Sequence, residues 1–173
     1  MINSKAVLPA LLALAMLTAS PGCKKSPTDS DPDTTVPTIA LVLNPTTGSK
    51  DEVVSASVLI KGSSQEIRVF GLDLTFDSRM FKFQEVRKGT LTGGWTEVAG
   101  NEVGPGNVRV GGFTGGGAAI PVRSEGTLAE LIFKVTGDEY GNGQQSQICI
   151  KQYTDDLIGF MPSSACTSFT LKK

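Results

Sequence analysis

The sequence predicts an all-β fold, a nine-stranded β-sandwich, and three observations predict it. From Ile67 to Phe76 the apolar residues Phe70, Leu72, Leu74 and Phe76 alternate with Val69, Gly71, Asp73 and Thr75. That period of two belongs to a strand with one buried face. The period returns from Gly126 to Val135, where Ala129, Leu131, Phe133 and Val135 alternate with Leu128, Glu130, Ile132 and Lys134. Short stretches of this kind are separated by turn residues at regular intervals, and past the N-terminal apolar run no helical period is sustained. Such spacing argues for a sandwich over a βαβ fold.

Each element is bounded by its own stop signal. Strands are expected near Thr38–Leu43, before Asn44-Pro45, and near Glu52–Ile60, before Lys61-Gly62-Ser63. The third and fourth lie near Ile67–Phe76, ending at Asp77-Ser78, and Phe81–Arg87, ending at Lys88-Gly89. A fifth near Trp95–Ala99 precedes a turn from Asn101 to Gly106, and a sixth near Asn107–Phe113 precedes Gly115-Gly116-Gly117. The seventh, Thr127–Thr136, runs into Gly137-Asp138 and Gly141-Asn142-Gly143, and the last two lie near Gln147–Tyr153 and Ala165–Leu171.

The residues before Thr38 have another character. Lys5 is followed by an apolar run from Ala6 to Leu17, too short to span a bilayer comfortably, which makes residues 1–22 an export signal. The small residues Ser20 and Gly22 stand before Cys23 in a pattern that resembles a bacterial lipobox, with Ser20 where an aliphatic residue is usual. The resemblance implies lipidation of Cys23 and a lipid anchor in the cell envelope. An ordinary signal peptidase, leaving a secreted chain without lipid, is the other reading. Residues 23–37 hold three prolines in a polar run and read as a flexible tether. Residues 38–173 form the folded domain. Three cysteines are an odd number for an exported protein. With Cys23 acylated, Cys149 and Cys166 remain as a pair that an oxidising compartment would hold as a disulfide.

Composition narrows the function classes. A net charge of −1 gives no electrostatic footprint for nucleic acid. There is no histidine, which removes His-dependent nucleophile pairs and His-based metal sites. The carboxylates available for glycoside hydrolysis, Asp73, Glu85, Glu97, Glu130, Asp155 and Asp156, fall mostly on outward strand positions or in loops. No catalytic residue is assigned, and the chain reads as no enzyme. Asp155-Asp156 lacks the alternating ligands of a calcium loop and reads as a solvated turn. The glycine runs Gly111-Gly112 and Gly115-Gly116-Gly117 are followed by no Lys-Ser/Thr and no helix, so they are no phosphate loop. No cofactor and no metal site is expected.

The succession I-R-V-F-G-L-D-L-T-F-D, G-N-V-R-V-G-G-F and G-T-L-A-E-L-I-F-K-V resembles the cohesin domain, the receptor module of cellulosome scaffolds. The matching positions are Gly71, Leu72, Leu74, Phe76, Asp77, Val108, Val110, Phe113, Gly126, Leu128, Ala129, Leu131, Phe133, Lys134 and Val135. The resemblance runs from about Thr38 to Leu171. It implies a jelly-roll sandwich that binds a dockerin on one flat sheet face. Calcium in that system belongs to the dockerin.

On that face, alternation puts Val69, Gly71, Asp73, Thr75, Arg109, Gly111, Phe113, Lys151 and Tyr153 outward. Phe113 and Tyr153 would be anchors, and Asp73 and Arg109 orienting charges. Type I cohesins carry Asn and Asp where Val69 and Gly71 stand here, which implies either a divergent partner or one that is not a dockerin. The leading expectation is a non-catalytic, envelope-displayed receptor for a dockerin-like protein in polysaccharide degradation or surface assembly. Two others stand beside it. One is a carbohydrate-binding module, which needs an exposed aromatic strip with Trp95 and Tyr140 as its candidates. The other is a structural envelope lipoprotein.

Overall fold

The computed structural model describes residues 36–173. The export signal at 1–22, Cys23 and the tether up to residue 35 lie outside the described residues. Among the described residues eleven strands are formed: β1 Thr38–Asn44, β2 Thr47–Gly48, β3 Val53–Lys61, β4 Val69–Phe76, β5 Phe81–Lys88, β6 Glu97–Gly104, β7 Asn107–Phe113, β8 Glu125–Val135, β9 Gln145–Asp155, β10 Met161–Ser164 and β11 Cys166–Leu171. They build a five-stranded sheet, β10-β1-β3-β8-β5, and a six-stranded sheet, β2-β11-β9-β4-β7-β6. Every connection except β6–β7 crosses from one sheet to the other. This is the all-β sandwich that the alternating patterns predict.

The expected count of nine strands is corrected to eleven. β2 is two residues long and β10 four, and both pair in parallel with a neighbour. Elements this short carry no periodic signal. β6 also runs on to Gly104, where the sequence suggests a turn. The hairpin turn is confined to Pro105 and Gly106. Gly106 sits at φ 71°, and a Cβ there would come within 2.4 Å of the Phe76 carbonyl oxygen, so only glycine fits.

The core is where the two alternations meet. Leu41, Val54, Val58, Leu131 and Phe133 project from the five-stranded sheet, and Phe70, Leu72, Leu74, Val110, Ile148 and Phe169 from the six-stranded one. Phe133 is fully buried, with the rings of Phe76, Phe81 and Phe83 at centroid distances of 5.1, 6.0 and 5.8 Å. These are edge-on contacts, which add to the stabilisation from buried area. Phe160 closes one end of the core, while Met161 and Pro162 run outside it as the start of β10.

Trp95 is in this core too. It is 3 % exposed and packs against Phe70 at 5.6 Å between ring centroids. Tyr140 is half-buried, its hydroxyl bonded to the Asp77 carboxylate and its ring covered by the Arg79 guanidinium at 5.2 Å. The carbohydrate-stacking expectation for Trp95 and Tyr140 is therefore corrected. One ring is enclosed by the sandwich, and the other has one face under the Arg79 guanidinium and its hydroxyl bonded to Asp77. Among the described aromatic residues only Phe113 is exposed.

Candidate functional site

The outer face of the six-stranded sheet follows from its register. Cross-strand partners share a face, so paired residues form rows across neighbouring strands about 4.8 Å apart. The first row is Glu97, Phe113 and Val69. The second is Ala99, Gly111, Gly71 and Thr154. The third is Asn101, Arg109, Asp73 and Gln152. The fourth is Asn107, Thr75, Cys149 and Cys166.

The rows differ in chemistry. The first offers the exposed apolar surface of Phe113 and Val69. The second has no side chain larger than threonine, so the sheet is flat there. In the third, Arg109 and Asp73 form a two-pronged ion pair, Nε to Oδ1 at 2.7 Å and Nη2 to Oδ2 at 3.0 Å. The hydrogen bond from Arg109 holds the Asp73 carboxyl below the usual carboxylate range, against an upward push from burial, and charge attraction adds to it. The pair stays charged over the ordinary pH range and fixes two polar groups at the middle of the face.

Three shallow depressions open along these rows. One of about 410 Å³ lies between Gly71, Gly111, Asp73, Gln152 and Thr154. A second of about 370 Å³ lies between Val69, Phe113, Glu97 and Ala99. A third of about 270 Å³ lies between Asp73, Thr75, Asn107, Val103 and Lys151. Depressions this open suit the knobs of a protein surface better than an enclosed small molecule.

The structure brings together Val69, Gly71, Asp73, Thr75, Arg109, Gly111 and Phe113 on one face, with Lys151 beside its fourth row. It takes Tyr153 away. The β4–β9 pairing shifts between Asp73, opposite Gln152, and Leu74, opposite Ile150. Lys151 is thus an extra residue, a β-bulge, and the alternation beyond it inverts. Tyr153 lies opposite Leu72, packs against the core, and donates its hydroxyl to the Phe160 carbonyl at 2.5 Å. The same inversion places Gln152 and Thr154 on the outer face, where the sequence reading does not put them. Asn101 is missed for another reason: its glycine-rich surroundings read as a turn.

The loop after β9 is locked. Asp156 Oδ2 accepts the backbone amides of Arg68 at 2.7 Å and Val69 at 3.1 Å, so this carboxylate is committed to the backbone. Among the described residues no cluster of three metal-ligating side chains forms.

Cys149 and Cys166 face each other across β9 and β11 and are joined by a disulfide, with Cα atoms 4.1 Å apart and a separation of 17 positions in sequence. They stand on the outer face, as the end of the fourth row. A loop of this length stabilises by about 3 kcal/mol through the unfolded chain. The double substitution Cys149→Ala with Cys166→Ala should lower the melting temperature by several degrees and leave the fold intact. Equal melting with and without reductant would contradict this role.

The comparisons with known proteins agree with the sandwich fold. The family model of the cohesin domain matches residues 39–156, well over half of the chain. No curated protein matches. Among solved structures, the chain is similar to the third cohesin of ScaC from Acetivibrio cellulolyticus, determined with the ScaB dockerin. The TM-score is 0.63 and the identity 16 %, over 79 % of this chain and 99 % of that one. It is similar to the OlpA cohesin of Clostridium thermocellum, determined with a dockerin, at TM-score 0.61 and 17 % identity, over 78 % and 99 % of the two chains. It is also similar to a non-cellulosomal cohesin of the archaeon Archaeoglobus fulgidus, at TM-score 0.56 and 14 % identity, over 79 % and 92 %. At these identities the structural likeness is one of fold, while the family match rests on the sequence itself. The chain belongs to the cohesin family, whose domains are non-catalytic protein-interaction modules.

Proposed function

We propose that this domain is a receptor for a dockerin-like protein, displayed on the cell envelope through a lipid on Cys23, and that it serves polysaccharide degradation or surface assembly. The observation that carries the binding part is the outer face of the six-stranded sheet. It is flat along Gly71 and Gly111, apolar at Phe113 and Val69, and fixed at its centre by the Asp73–Arg109 pair. A buried apolar contact surrounded by polar groups is the usual anatomy of a protein interface. Similar cohesins have been determined in complex with dockerins, which supports the choice of partner. Val69 and Gly71 replace the Asn and Asp of type I cohesins, so the partner should differ from a standard type I dockerin.

The test is capture on the immobilised domain from the secreted proteins of the same organism, with calcium and with chelator. The expected result is calcium-dependent capture of a protein bearing a dockerin-like module. Retention of the domain on polysaccharide, with no protein captured, would contradict the reading. For the anchor, Cys23→Ala should move the domain from the detergent phase to the aqueous phase without unfolding it. Unchanged detergent partitioning of that variant would exclude Cys23 as the lipid site.

A further inference from the structure

We infer that Asp155 is a specificity residue of this face, its carboxylate receiving a lysine or arginine side chain of the partner. The inference rests on the reading of the face as a protein receptor and names the chemistry of what docks there. Strand alternation alone would turn Asp155 inward, because it pairs with the buried Phe70. Its backbone is at φ 59°, in the left-handed region that few residues other than glycine enter, Asn and Asp most readily. This conformation at the strand end carries the side chain onto the outer face. There Oδ2 accepts a hydrogen bond from the Thr154 hydroxyl at 2.9 Å. It also overhangs Gly71, where a Cβ would lie 3.1 Å from Oδ2 and 2.4 Å from Thr154 Oγ1. The missing side chain at Gly71 is the space these two groups occupy.

The charge count then selects the occupant. The two depressions on either side of Gly111 are lined by three carboxylates, Asp73, Asp155 and Glu97, against one guanidinium, Arg109. Asp73 and Arg109 neutralise each other. Neither Asp155 nor Glu97 takes part in an ion pair among the described residues. This part of the face therefore presents two uncompensated negative charges above a flat floor. A hard metal ion needs six or more oxygen ligands, which one carboxylate and one hydroxyl do not supply. A long cationic side chain fits instead, its methylene stem along Gly111, where the face is open, and its head at Asp155.

The experiment uses a displayed library of calcium-loaded dockerin modules randomised on one helix face, selected against the whole domain and against Asp155→Asn. Asparagine keeps the preference for the left-handed backbone and removes only the charge. Binders to the unaltered domain should be enriched in Lys or Arg at one position. Their affinity should fall at least tenfold with Asp155→Asn, and fall again as salt is raised. Replacing that one basic residue by Glu in a selected binder should also cost at least tenfold against the unaltered domain, which reads the same contact without altering the fold. If binders lose affinity with Gly111→Arg but hold Asp155→Asn equally well and show no basic enrichment, the role of Asp155 is overturned and the face reading stands. If no binder emerges, or none responds to Gly111→Arg, the face reading falls and this inference falls with it.

Discussion

Phe133→Ala should cost the domain about 3–5 kcal/mol, the largest single effect expected in this chain. The side chain is fully buried, and three phenylalanine rings pack on it from β4 and β5. Truncation removes that apolar area from the core and leaves a cavity that stiff β-strands cannot close. Domains of this kind are stable by about 5–15 kcal/mol in all, so the variant should be marginal. Urea unfolding of both proteins measures the difference. A loss below about 1 kcal/mol would mean that the sheets re-pack, and that the aromatic cluster does not hold them together.

Gly111→Arg should weaken recognition at least tenfold while leaving the fold alone. Gly111 lies at the middle of the outer face, opposite Gly71 on β4 and Ala99 on β6. A Cβ there meets nothing nearer than the Phe70 carbonyl oxygen at 3.5 Å, an ordinary contact. The long side chain would stand in the two depressions that the partner is proposed to fill. Affinity should fall at least tenfold, about 1.4 kcal/mol, with the melting temperature nearly unchanged. Gly71→Arg is the poorer test, because it would collide with the Thr154 hydroxyl. Ser57→Arg is the control. Ser57 pairs with Val42 and Glu130 on the outer face of the other sheet, so this variant should bind normally.

The strands were legible because a half-buried strand writes its two faces into alternate residues, and β3, β4 and β7 do so without interruption. The register between strands was not legible. One extra residue at Lys151 inverts β9 beyond it, sending Tyr153 into the core and bringing Gln152 and Thr154 out. Similar shifts occur at β3–β8 and β5–β8, and none leaves a mark on a single strand read alone. Asp155 was hidden for a related reason: its position follows from one backbone angle, not from a pattern. Trp95 shows the limit of composition. A lone tryptophan among strands suits a sugar platform and a core lid equally well, and only the packing against Phe70 decides. The disulfide was readable as a pair of cysteines, and its place on the outer face follows from the β9–β11 register.

The domain is proposed to bind a partner protein through the outer face of the six-stranded sheet. Amide chemical shifts of the labelled domain, followed as the captured partner is added, test it most directly. The shifts should concentrate at Val69, Gly71, Asp73, Arg109, Gly111, Phe113 and Thr154, with Val42, Ser55 and Ser57 unmoved. Shifts centred on Val42, Ser55 and Ser57, with the Gly71 and Gly111 signals in place, would contradict it.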